Sequence, residues 1–245
     1  TVDVRVVAES PSEDGLWVAS PYGSAVYLLK CDGGRFRVVR TLDLWPLLHI
    51  GAPASRMVET PDGNLWMLCR QRVVCLERGK NAFATPDSLR FTAMQADGDG
   101  KVWAATGEKL YLLSHTAEGI RFVPQPVAFP DVRDGETVRF LAPDGEGGMW
   151  VSTDMGNVWH RAKGQAAFTD VSNRFDLRGA AILNLLVGKE CLWVVAHDRI
   201  LCHDNRTGRL RQFGLAEAGL ETDIFRNQAS CLSPGGSLYA GGHGG

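Results

Sequence analysis

The chain has 245 residues, 44% hydrophobic and 22% charged, the proportions of an ordinary globular protein with a sizeable core rather than of a disordered one. Its 26 Lys+Arg stand against 28 Asp+Glu for a formal charge of −2, so no field of one sign is available to hold nucleic acid or an acidic membrane surface. No apolar run approaches the ~18 residues of a membrane span. The first residues, Thr1-Val-Asp-Val-Arg5, are neither a start methionine nor a basic-then-apolar leader, and the expectation is a soluble piece of a longer protein.

Taken in order, the elements repeat. A strand over 4–8 is followed by the turn Asp14-Gly15 and by Leu16-Trp17. The same sequence of turn, apolar residue and aromatic returns at Asp62-Gly63 with Leu65-Trp66 and at Asp99-Gly100 with Val102-Trp103. It returns again at Gly147-Gly148 with Met149-Trp150, at Gly188-Lys189 with Leu192-Trp193, and at Gly235-Gly236 with Leu238-Tyr239. The spacing averages about 44 residues. In the third unit the reading is strands over 91–96, 102–105, 110–113 and 120–123; in the fourth, 138–141, 149–152, 158–161 and 166–169. Connections include a long loop over 41–49.

Four short antiparallel strands of this size cannot bury both faces alone, so copies stack radially. The fold class expected is all-β, a β-propeller of four-stranded antiparallel blades with very little helix. Residues 1–245 read as one propeller region, with repeats at about 1–54, 55–88, 89–137, 138–180, 181–226 and 227–245, the last incomplete. Five repeats are full and the sixth holds two strands, which reads as an excerpt of a longer propeller. The repeated aromatics read as packing between blades. A ladder of carbohydrate-stacking rings is the alternative, and regular spacing favours packing.

Asp-Gly-x-Leu-Trp, small residues and then a Gly-containing turn resemble the regulator-propeller repeats of bacterial hybrid two-component sensors. The residues that carry this are Glu59-Thr-Pro-Asp-Gly-Asn-Leu-Trp66 and Asp144-Gly-Glu-Gly-Gly-Met-Trp-Val-Ser-Thr-Asp-Met-Gly156. A third stretch, Phe225-Arg-Asn-Gln-Ala-Ser-Cys-Leu-Ser-Pro-Gly-Gly-Ser-Leu-Tyr-Ala-Gly-Gly-His-Gly-Gly245, is similar to the family's final blade. The fifth unit departs from the pattern, with Gly188-Lys-Glu-Cys191 in place of the Asp-Gly turn. The resemblance implies a periplasmic, non-catalytic sensing region, often for glycan fragments, in a protein whose histidine kinase lies elsewhere. It further implies immunoglobulin-like and propeller domains in the same chain, and a homodimeric receptor.

Catalytic motifs are missing. There is no Gly-x-Ser-x-Gly elbow, no phosphate loop and no His-Glu-x-x-His. Asp97-Gly-Asp99-Gly-Lys101 imitates a calcium loop, but Lys101 stands at a ligand position and Val102 replaces the glycine such a loop requires. Six cysteines include no Cys-x-x-Cys, and adjacent Cys202 and His203 on one strand must point to opposite faces, which spoils a shared metal site. No metal, cofactor or catalytic residue is expected, and buried thiols are the default for the cysteines.

Blade turns of the a–b type are near copies of one another and suit a structural job. The b–c turns and d–a connections, on the opposite face, vary. There Trp45 could stack on a pyranose, Arg70 and Arg72 could hold carboxylates or hydroxyls, and Asp154, His197 and His243 could exchange hydrogen bonds with hydroxyls. The expected partner is a small molecule or oligosaccharide. The alternatives are an enzyme of the streptogramin-lyase type, which uses similar short repeats, and an interaction scaffold.

Overall fold

The computed structural model describes residues 4–49, 51–78, 81–132, 135–177, 179–214, 225–233 and 235–242. Its first compact unit comprises residues 1–106 and 110–125, and its second residues 107–109 and 126–245. In the first unit, β1 (Val6–Ser10), β2 (Gly15–Ala19), β3 (Ala25–Asp32) and β4 (Arg35–Asp43) form one antiparallel sheet. β5 (Ala54–Glu59), β6 (Leu65–Cys69), β7 (Arg72–Leu76) and β8 (Ala82–Ala84) form the next. β9 (Ala93–Ala96), β10 (Val102–Ala105), β11 (Leu110–Thr116) and β12 (Gly119–Pro124) form the third.

The second unit repeats the plan. β13 (Val138–Pro143), β14 (Met149–Thr153), β15 (Val158–Arg161) and β16 (Thr169–Asp170) make one sheet, and β17 (Ile182–Val187), β18 (Cys191–Ala196), β19 (Ile200–Asp204) and β20 (Leu210–Phe213) another. Among the described residues β21 (Phe225–Leu232) pairs only with β22 (Leu238–Gly242). The protein is therefore all-β, with five four-stranded propeller blades and a two-stranded sixth repeat. Helix among the described residues is confined to α1 (Leu44–Leu48) and a 3₁₀ turn at Ser172–Arg174.

Three of the a–b turns, the third, fourth and sixth, share one anchor. Asp97 Oδ1 accepts hydrogen bonds from the amides of Asp99 and Lys101 at 3.0 and 2.9 Å. Asp144 Oδ1 does the same for Glu146 and Gly148 at 2.9 and 2.7 Å, and Ser233 Oγ for Ser237 at 3.1 Å. A side-chain acceptor closing back on its own backbone fixes such a turn locally. At Gly63, Gly100 and Gly147 φ is 81°, 78° and 95°, a conformation in which a Cβ is strained, and this explains the glycine of the motif. The fifth turn has no side-chain anchor and is one residue shorter, closing from the Gly188 amide to the Cys191 carbonyl at 2.8 Å.

Strands β6 and β14 are buried at every position; β6 reads as a continuous apolar run, and β14 adds buried Ser152 and Thr153 to its apolar start. Trp17, Trp66 and Trp150 are buried among the strands of adjacent sheets within their units, as packing residues should be. The Trp17 indole also donates to Glu59 Oε2 of the next sheet at 2.7 Å. Tyr239 departs from this role. It is 62% exposed on β22, beside which no further strand pairs among the described residues.

Two local expectations are corrected. The loop expected over 41–49 is instead the end of β4 followed by α1. Asp43 caps that helix by accepting from the Trp45 amide at 3.0 Å, and Pro46 sits in the first turn, where its missing N–H is no loss. The strand expected over 166–169 shrinks to β16, because Ala167 bridges in parallel to Ala128.

Candidate functional site

The residues expected at the varied loops fall into three situations. Trp45 and Arg70 present their side chains to solvent. Leu44 is fully buried and anchors α1, leaving Trp45 55% exposed with its ring edge-on to His49 at 5.9 Å. Asp43, beneath it, is held below the usual carboxylate range by the Ser24 hydroxyl and then by the Trp45 amide. Arg70 occupies the β6–β7 turn with φ at 56°, a left-handed conformation that costs a side-chain-bearing residue energy.

Arg72 and Asp154 are engaged within their own unit. Arg72 Nε donates to the Thr85 carbonyl at 2.8 Å and lies 3.1 Å from an Asp87 oxygen, so this guanidinium ties β7 to the segment after β8. Asp154 accepts from the Thr137 amide at 2.9 Å and faces Arg139 at 3.5 Å, bracing the entry to β13. His197 is fixed through its backbone, to the Ala181 carbonyl and the Phe225 amide, and its ring is exposed. Beside it Asp198 is held below the usual carboxylate range, first by its hydrogen bonds from Arg199. No hydrogen bond or ion pair joins Asp154 to His197 among the described residues. His243 lies outside the described residues.

A second grouping, not selected from the sequence, lies on the a–b turns of the second unit. A cavity of about 490 Å³ opens there. Its floor is Trp150, His160 and His203. Its walls carry the carboxylates of Asp144, Glu146 and Glu190 and the cations of Arg174, Lys189 and Arg206. His160 lies flat on the Trp150 indole, 4.0 Å between centroids, and its Nε2 is 3.2 Å from Asp144 Oδ2. His203 is 3% exposed and turns Nδ1 toward Asn205 Oδ1 at 3.3 Å.

Two floor atoms, Trp150 Nε1 and His203 Nε2, are buried with no hydrogen-bond partner. Such atoms are rare in folded proteins. The contrast with Trp17 locates the cause. Where Glu59 stands at the end of β5 to receive the Trp17 indole, the matching place at the end of β17 holds Val187, which has no side-chain acceptor. The one available signal in the sequence was the irregular fifth turn, which supplies Lys189 and Glu190.

All six cysteines are free thiols. Burial pushes Cys69 and Cys75 up to about 12, and Cys202, buried beside Cys191, up to about 11, so these three are poor nucleophiles. Among the described residues no three His, Cys, Asp or Glu side chains are grouped so as to hold a metal ion.

Neither a family model nor a curated protein matches this chain. Solved structures do. The chain is similar to the extracellular domain of a protein described as a hybrid two-component system of B. thetaiotaomicron, with a TM-score of 0.70 and 12% identity, over 98% of this chain and 31% of that one. It is also similar to a catalytically inactive virginiamycin B lyase from Staphylococcus aureus, solved with quinupristin, with a TM-score of 0.67 and 12% identity over 98% and 85% of the chains. A third likeness is to PorZ, a surface component of the type-IX secretion system of Porphyromonas gingivalis, at 0.65 and 12% over 98% and 33%. At these identities the likeness establishes the fold, a β-propeller. Its neighbours thus include an extracellular sensor domain, an enzyme and a secretion component. No helix among the described residues is long and apolar enough to cross a membrane.

Proposed function

We propose that this chain is part of the non-catalytic, extracytoplasmic sensing region of a bacterial two-component sensor kinase, with regulator-propeller repeats and a glycan-derived ligand. One observation carries the reading. The segments that resemble the regulator-propeller repeat, 59–66, 144–156 and the described part of 225–245, sit on strand pairs and their turns in a fold that matches an extracellular two-component domain across 98% of the chain. The candidate contacts on the varied loops are Trp45 and Arg70 in the first unit, where Arg72 holds its loop in shape, and Asp154, His197 and His243 in the second. The bound state then biases a dimeric receptor that includes further propeller and immunoglobulin-like domains, through the differential affinity of its two conformations.

The test is a thermal-shift screen of the chain against an oligosaccharide panel, followed by Trp45→Ala and Arg70→Ala. A hit that raises the Tm of the parent and is lost in these variants supports the reading. No hit across the panel, or a hit indifferent to both variants, refutes the recognition surface.

A lyase-type enzyme is the second reading, favoured by the 85% coverage of virginiamycin B lyase. Incubation with quinupristin and mass spectrometry distinguishes the two, since chemical change of that compound would make the chain an enzyme.

A further inference from the structure

We propose that the 490 Å³ cavity on the a–b turns of the second unit binds a small polyhydroxylated carboxylate, a sugar acid or hydroxy acid. This site is separate from the varied loops and does not rest on the sensing role.

The volume lies within the ~300–1,000 Å³ of small-molecule sites. The floor decides what fits. Trp150 Nε1 can only donate. Asn205 Oδ1 faces His203 Nδ1, so in the neutral ring Nδ1 carries the proton and Nε2 is left as an acceptor. A hydroxyl group answers both, accepting from the indole and donating to the imidazole. One indole face is covered by His160, and Phe175 and His203 stand edge-on at 6.4 and 5.9 Å, so the recognition is by the ring's N–H edge rather than by stacking a sugar. His160 is held on that face by stacking and by Asp144.

The walls supply the second half. Asp144 is occupied by its own turn and by His160. Arg174, Lys189 and Arg206 make no ion pair among the described residues, although three carboxylates, Asp144, Glu146 and Glu190, share the lining with them. A ligand carboxylate pairs with these unengaged cations, and the ligand's hydroxyls donate to Glu146 and Glu190.

Isothermal titration of the chain with D-glucuronate, D-glucose and succinate tests the assignment. D-glucuronate should bind with a Kd of about 1 mM or tighter, and the other two, each lacking one half of the chemistry, at least about tenfold more weakly. Trp150→Phe removes the N–H together with part of the ring system, and Arg206→Ala removes an exposed cation. Each should weaken D-glucuronate binding at least about fivefold, while Arg35→Ala, which removes an exposed cation of β4, leaves it unchanged. Succinate binding as tightly as D-glucuronate would reduce the site to a general anion patch and overturn the proposal. So would no D-glucuronate binding, or unaltered binding in Trp150→Phe.

Discussion

Glu59 joins the first two blades more directly than any apolar contact does. Its carboxylate, at the end of β5, accepts from Ser10 Oγ at 2.6 Å, from the Ser12 amide at 3.0 Å and from Trp17 Nε1 at 2.7 Å, all on the preceding blade. Removing it by Glu59→Ala strands a buried indole N–H and a backbone amide. Hydrogen bonds to a charged group are worth about 1.5–3 kcal/mol each, and part of that is recovered from water at this half-buried site. The expected loss is about 2–4 kcal/mol, or roughly 4–16 °C in Tm. Glu59→Gln retains an acceptor oxygen and should cost about 1–2 kcal/mol.

The sign of the pH dependence follows from the same contacts. Burial alone would raise the Glu59 carboxyl, but the hydrogen bonds from Ser10, Ser12 and Trp17 outweigh it and hold the group below its ordinary value of 4.5. A depressed folded value means the ionised form is favoured by folding. The contribution is therefore complete above about pH 4.5 and disappears as pH falls through the lower folded value. Urea unfolding followed by tryptophan fluorescence should show a parent-to-Glu59→Gln gap that is constant from about pH 8 to 6 and closes below about 4.5. A gap that is flat into acid, or Glu59→Ala unfolding with the parent, would refute the clamp.

Four further outcomes are expected. Arg72→Ala should lower stability by about 1 kcal/mol through loss of the Thr85 and Asp87 contacts, measured by urea unfolding. Arg70→Gly should unfold at the same or a higher urea concentration, by up to about 1 kcal/mol, because glycine relieves the left-handed φ of 56°. Gly148→Ala should lower Tm markedly, by about 2 kcal/mol or more, since its Cβ would fall 2.1 Å from Asp144 Oδ2 and 2.6 Å from the Arg161 carbonyl. Native labelling with iodoacetamide and peptide mapping should modify exposed Cys31 and Cys231 first, with Cys69, Cys75 and Cys202 reacting only after unfolding.

The blades were legible because their signal is local and repeated. Turn, apolar residue and tryptophan in one register set the start of every b strand, and β10 and β15 fall where the pattern placed them. α1 was not legible, since five residues carry too little period to distinguish a helix from a loop, and its capping depends on Asp43 meeting the Trp45 amide. The same limit applies to the loops. Composition marked Arg72 and Asp154 as candidate recognition groups, but whether a polar side chain is spent on its own scaffold depends on neighbours such as Thr85, Asp87, Thr137 and Arg139, and those are set by packing.

The a–b turns show why regularity can hide a site. A turn closed by its own Asp or Ser uses the anchoring side chain internally, so identical motifs suggest an inert face. That holds for Asp97, whose two oxygens serve Asp99, Lys101 and the Trp103 indole. It fails at Asp144, whose second oxygen reaches across to His160 and so helps to fix the cavity floor. The adjacent turn is the short one, with no anchor to satisfy and with Lys189 and Glu190 turned to the cavity. The indole that would have met a carboxylate there meets Val187 instead. A repeat protein can acquire a pocket by such a lapse, because the blade on either side still supplies the core while the local polar groups lose their internal partners. The fifth unit, which fits the repeat least well, is thus the place where the chain has hydrogen-bonding capacity to offer a ligand.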